Sequence, residues 1–208
     1  PDDARCWPHP CDQPPRRDNV IAVNGVLNAV QPSSALSPLD GLMLIGGVSA
    51  HFRWDDAHVA ASVRRIADAT PHIQWKLTSS RRTPADFLAA LGQPLPSNLK
   101  MYPHDETGPG WLEQALSVAG QVWVTEDSVS MLYEALTAGA GVGLIRLDDP
   151  RDTRVRCGVE QLVAEHRVTP FEDWQAGAPL PTAPGGFNEA TRVAQWLLQR
   201  FPQPTPSD

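Results

Sequence analysis

Residues 41–45 (Gly-Leu-Met-Leu-Ile) form an unbroken apolar run, the mark of a strand buried on both faces. Further short strands are expected at 73–77, 98–102, 121–124 and 142–145. Between them the apolar positions switch to helical spacing. Val59, Val63, Ile66 and Ala67 follow a helix start near Asp55, with Arg64 and Arg65 outside. Phe87, Leu88 and Leu91 follow Thr83, a candidate cap, and Pro84, a first-turn proline; Gly92 and Pro94 end that segment. Trp111, Leu112, Ala115, Leu116 and Ala119 define a helix over 109–119, and Met131, Leu132, Ala135, Leu136 and Ala138 another that ends at 138. Helices are also expected at 155–164 and 188–201. The second is capped by Asn188 and turns Ala190, Val193, Ala194, Leu197 and Leu198 to the core. Residues 19–24 read as a strand stopped by Gly25, 32–38 as a linker, and 170–187 mostly as loop with Phe171 and Trp174 as packing anchors.

Strand and helix therefore alternate from 41 to 138, and a further strand follows. That order predicts an α/β domain, a parallel sheet flanked by helices on both faces in the Rossmann-like manner. Residues 1–38 form a segment ahead of it, and 39–208 the domain with its C-terminal helix. Ligands of such sheets gather outside the C-terminal strand ends. Four polar or glycine-rich turns fall there: 46–51, 78–83, 102–107 and 125–130. Gly46 and Gly47 let a backbone approach a ligand closely, with Ser49 and His51 just beyond. Ser79, Ser80, Arg81 and Arg82 bring hydroxyls and planar guanidinium forks that match phosphate oxygens. Thr125, Asp127, Ser128, Ser130 and Met131 lead into a helix whose first N–H groups favour an anion, with Asp127, Ser128 or Ser130 as its cap. Glu134 falls about one turn past the cap, placed to accept two ribose hydroxyls. Each turn has a plainer reading too, as an ordinary strand-to-helix connection or a salt-bridged cap. Only their convergence on one rim argues for a site.

The chain has 208 residues and a net charge of −7, which argues against nucleic acid as a partner because that needs a basic face. No apolar run reaches 18 residues, so no membrane span is expected. Without a secretory signal the reading is cytoplasmic, and three cysteines fit reduced thiols better than a disulfide framework. Cys6, His9, Cys11 and Asp12 cluster near the start, but their spacing matches no zinc pattern, and no metal is expected. The 21 prolines are about twice the usual share and crowd the two ends, which read as irregular.

Three motifs carry a family resemblance: Gly46-Gly-x-Ser-x-His51-x-x-Trp54, Thr78-Ser-Ser-Arg-Arg-Thr-Pro84 and Thr125-x-Asp-Ser-Val-Ser-Met131-x-x-Glu134-Ala. Together they resemble the mitochondrial fission family of the elongated-mitochondria type, whose bacterial members look like two-domain, GT-B nucleotide-sugar glycosyltransferases. Pro8 to Asp12, with Asn19, Val20 and Gly25, resembles the segment that joins the two halves, although Cys11 interrupts its His-Asp pair. The resemblance implies that this chain is the C-terminal, donor-binding half, that an N-terminal Rossmann-like half is missing, and that the protein is cytoplasmic and bacterial, with room for peripheral membrane contact. The ligand it implies is a nucleoside diphosphate sugar, a substrate rather than a cofactor, with an acceptor of unknown identity and no metal. Glu134 would hold the donor ribose, Ser128 and Ser130 would approach the diphosphate, and Arg81, with Arg82 behind it, would offset the charge of the departing nucleoside diphosphate. Two other classes stay open: a non-catalytic interaction protein of the same fold, and an epimerase of nucleoside diphosphate sugars. An epimerase yields product from donor alone, whereas a transferase needs an acceptor.

Overall fold

A computed structural model describes residues 19–148 and 154–201, apart from the side chains of 154 and 155. Its elements run β1 (Ser37–Leu44), α1 (Asp56–Ala69), β2 (Gln74–Thr78), α2 (Asp86–Ala90), β3 (Leu99–Tyr102), α3 (Trp111–Leu116), β4 (Ala119–Thr125), α4 (Val129–Ala138), β5 (Gly141–Ile145), α5 (Arg154–Ala164), β6 (Thr169–Pro170) and α6 (Glu189–Arg200). The six strands make one sheet in the order β3-β2-β1-β4-β5-β6, every neighbouring pair parallel. The chain builds outward from β1 to β3, returns to lay β4 on the other flank of β1, and builds outward again. The exit ends of β1 and β4 therefore flank the reversal point, where open sheets of this kind form a crevice.

The unbroken apolar runs are explained by burial on both faces. Leu42 and Leu44 of β1 join Val122, Val124, Val142 and Leu144 in a core closed by Leu116, Leu132, Leu136 and Leu162. Met43 and Ile45 point the other way and join Trp75, Leu77, Trp123 and Ile145 beneath Val59, Val63, Ile66 and Phe87. Two bulky indoles fit between close-set strands only because glycine stands opposite. Gly41 is in register with Trp75 and Gly143 with Trp123. A Cβ at either glycine would lie 2.3 Å from the facing ring.

Local chemistry sets the helix ends. Asp55 accepts from the N–H groups of Ala57 and His58 and so starts α1, and Asn188 accepts from that of Thr191 and starts α6. Other expectations are corrected. Residues 19–24 are not a strand. Their backbone is taken up by α6 instead, Asn24 N–H donating to Glu189 (2.8 Å) and Ala22 C=O accepting from Arg192 (2.6 Å). Thr83 does not cap α2, which has no side-chain cap at all. The far end of α6 does not face the core, since Leu197, Leu198 and Phe201 are exposed. β6 lies at the start of a stretch read as mostly loop, and Phe171 and Trp174 do pack there against Trp123. Cys157 is disulfide-bonded, against the expectation of reduced thiols. The cluster at Cys6, His9, Cys11 and Asp12 falls outside the described residues. Among the described residues no helix is long and apolar enough to cross a membrane.

Candidate active site at the strand exits

The exits of β1, β2 and β4 are tied together by short polar bonds. Thr125, fully buried, accepts the N–H of Gly46 through Oγ1 at 2.8 Å. Asp127 accepts the N–H of Gly47 through Oδ2 at 2.9 Å, and the same oxygen lies 2.8 Å from the Arg82 guanidinium. Arg82 also donates to the carbonyls of Gly47 and Val48 at 3.2 Å, while its own carbonyl accepts from Val48 N–H. Ser80 Oγ donates to Gly46 C=O at 2.8 Å, and Thr83 Oγ1 donates to that carbonyl while accepting the Ser80 N–H at 2.8 Å. The turn after β3 joins through His104 N–H and Ser79 Oγ, 3.1 Å apart.

This bracing changes the role of the two glycines. Their N–H groups are committed to Thr125 and Asp127. Glycine is required for space. A Cβ on Gly46 would lie 2.2 Å from Asp127 Oδ2, and one on Gly47 would lie 2.1 Å from Arg82 C=O. Asp127 is likewise drawn into the brace and does not cap α4.

Uncommitted donors lie instead at the start of α4. Ser128 holds the cap position, yet no side chain caps the helix. The first hydrogen bond into the helix is Leu132 N–H to Ser128 C=O. The N–H groups of Val129, Ser130 and Met131 therefore have no acceptor among the described residues. Ser128 is buried, Ser130 exposed, and Met131 packs its chain against the core. One turn further on, Glu134 is half-buried and makes no hydrogen bond or ion pair with any described residue. Burial, and then the negative charge of Glu113 on α3, push its carboxyl above the ordinary range. Arg81 is exposed on the turn after β2 and is likewise without an ion-pair or hydrogen-bond partner among the described residues. The two adjacent arginines thus differ: Arg82 is spent in the brace and Arg81 is not. His51 is exposed, and its N–H leans on Ser49 Oγ at 3.3 Å.

Glu126 was missed by sequence reasoning. It is 1% exposed, accepts Leu147 N–H through Oε2 at 3.0 Å, and keeps Oε1 buried with no hydrogen bond among the described residues, 3.7 Å from Arg146. Burial raises its pKa against the opposing pull of Leu147 and Arg146. Its only sequence signal was its place between Thr125 and Asp127. Glu126 and Asp127 leave β4 in opposite directions and each hold a neighbouring loop, that after β5 and that after β1.

The solved structures that the chain resembles include Acinetobacter baumannii MurG (12% identity, TM-score 0.41, 67% of this chain and 38% of that one). They also include the spinosyn forosaminyltransferase SpnP (14%, 0.41, 82% and 37%) and Medicago truncatula UGT71G1 complexed with UDP-glucose (15%, 0.34, 81% and 32%). The chain spans less than two fifths of the length of each. No curated protein matches it by sequence. The family described as mitochondrial fission ELM1 matches residues 6–201. With its six-stranded parallel sheet and its three rim motifs inside that match, the chain belongs to the mitochondrial fission ELM1 family.

Proposed function

We propose that this domain binds the ribose and diphosphate of a nucleoside diphosphate sugar and serves as the donor half of a GT-B glycosyltransferase. The observation that carries the reading is the open start of α4 beside an unpartnered Glu134, at the reversal point of the sheet. Three free N–H groups and the helix dipole suit a diphosphate. The Ser128 and Ser130 hydroxyls extend that set, and Arg81 supplies an exposed guanidinium. Glu134 accepts from the ribose hydroxyls, and its burial makes an unsatisfied carboxylate costly until a ligand fills the place. When the bond between sugar and diphosphate breaks, negative charge grows on the departing phosphate oxygens. Preorganised N–H groups and a guanidinium stabilise that charge without a metal ion. The acceptor hydroxyl and its base belong to the remainder of the enzyme.

The test is a thermal-shift panel of UDP-, GDP- and ADP-sugars on the 208-residue chain and on Glu134→Ala. At a hundredfold excess over Kd a ligand stabilises by about 2.7 kcal/mol, or roughly 5–10 °C for a domain of this size. Glu134→Ala should leave the unliganded melt in place and remove the shift. The reading is wrong if no nucleotide sugar shifts the wild-type chain, or if the variant responds like wild type.

A further inference from the structure

A site proposed for an anion holds a buried anion of its own. The Asp127 side chain is fully buried within the brace beneath the start of α4. One oxygen faces Gly47 N–H and Arg82; the other, Oδ1, is buried with no hydrogen-bond partner among the described residues. A carboxylate there repels an incoming diphosphate unless a positive charge offsets it. Arg82 is the cation that does so, and its guanidinium simultaneously clips the carbonyls of Gly47 and Val48. We infer that Arg82 is a positioning residue and not a ligand: it neutralises Asp127 and holds the glycine turn, so that α4 and Arg81 can accept an anion. This rests on the proposed nucleotide-sugar reading and divides labour between two adjacent arginines.

Two consequences separate this role from direct phosphate contact. Removing Arg82 alone exposes the ligand to an uncompensated Asp127. Removing the charge of Asp127 at the same time takes away the reason that Arg82 is needed, because asparagine still accepts Gly47 N–H through its amide oxygen. A phosphate ligand would show no such rescue.

The experiment is isothermal titration of UDP, GDP and inorganic pyrophosphate into the 208-residue chain and its variants Arg82→Ala, Arg82→Lys, Asp127→Asn, Arg82→Ala/Asp127→Asn, Arg81→Ala and Arg81→Ala/Asp127→Asn, with unliganded melts as controls. Arg82→Ala should weaken binding about tenfold, the scale of one unit charge acting across a partly screened site. Arg82→Lys should keep most of the affinity. Adding Asp127→Asn to Arg82→Ala should restore it to within about threefold of wild type, while Asp127→Asn alone should bind no more weakly than wild type. Adding Asp127→Asn to Arg81→Ala should restore nothing. If the Arg82→Ala/Asp127→Asn variant binds as poorly as Arg82→Ala while its unliganded melt stays with that of Asp127→Asn, neutralisation of Asp127 is refuted as the reason Arg82 is needed, and Arg82 is a ligand. If the wild-type chain binds none of the three probes, the nucleotide reading falls and takes this inference with it.

Discussion

Gly47→Ala tests the brace without touching any side chain proposed to meet a ligand. A Cβ built there would lie 2.1 Å from Arg82 C=O, 2.2 Å from its carbonyl carbon and 2.5 Å from Thr83 N. All three are backbone atoms, so no side chain can swing aside. The turn after β2 must retreat by more than an ångström to reach ordinary contact. That retreat strains the Val48-to-Arg82 backbone bond (3.1 Å), the Arg82 contacts to Gly47 and Val48, and the ion pair with Asp127. Overpacking of this kind costs about 1–3 kcal/mol, and each hydrogen bond lost adds about 1 kcal/mol. The sum is on the order of 3–5 kcal/mol, and at about 2–4 °C per kcal/mol the melt should fall by roughly 10 °C. Gly108→Ala is the control, because its Cβ would meet nothing within 4 Å, and it should melt within about 1–2 °C of wild type. Differential scanning calorimetry reads both. A Gly47→Ala melt indistinguishable from that of Gly108→Ala would mean that the strand exits are not locked together, and the case for a preformed rim would go with it.

Two acidic residues should leave opposite marks on the pH dependence of stability. Burial raises the folded pKa of Glu126 above the ordinary 4.5, so this group's contribution to stability falls as pH rises from that value through the folded one; Glu126→Gln, whose carbonyl still accepts Leu147 N–H, should flatten that fall in urea melts from pH 4 to 8. Equal slopes for wild type and variant would show that Glu126 does not titrate as a buried acid. Glu189 behaves in the other sense. Arg192, with help from Asn24 N–H, lowers its pKa, so its contribution is present above 4.5 and is lost as pH falls through the lowered value. Glu189→Gln should therefore destabilise the chain more at pH 7 than at pH 3, and a loss that does not vary with pH would contradict the Arg192 pairing.

The sheet was legible because burial on both faces leaves almost no polar position in a central strand: the runs 41–45, 122–124 and 142–145 could hardly be anything else. The misreadings share one physical cause, which is that a side chain's type does not reveal its partner. Thr83 before Pro84 has the form of a helix cap, but its hydroxyl turns to the Gly46 carbonyl, since that carbonyl lies past the end of β1 and has no strand neighbour to donate to it. At Gly46 and Gly47 the close approach that glycine permits is made by a carboxylate and a peptide group from two other exits. Arg81 and Arg82 are chemically identical in sequence, and only the position of Asp127, 45 residues on from Arg82, separates them. Leu197 and Leu198 keep the spacing of a core helix although both are exposed. What the sequence did place is the rim on which these exits meet, since that follows from strand order alone. Which groups on the rim are already satisfied, and which still want a partner, depends on contacts between turns far apart in the chain. Here the satisfied groups are the glycine amides and Arg82, and the unsatisfied ones are the α4 amides, Arg81 and Glu134. That partition makes the start of α4, and not the glycine turn, the place to look for a bound diphosphate.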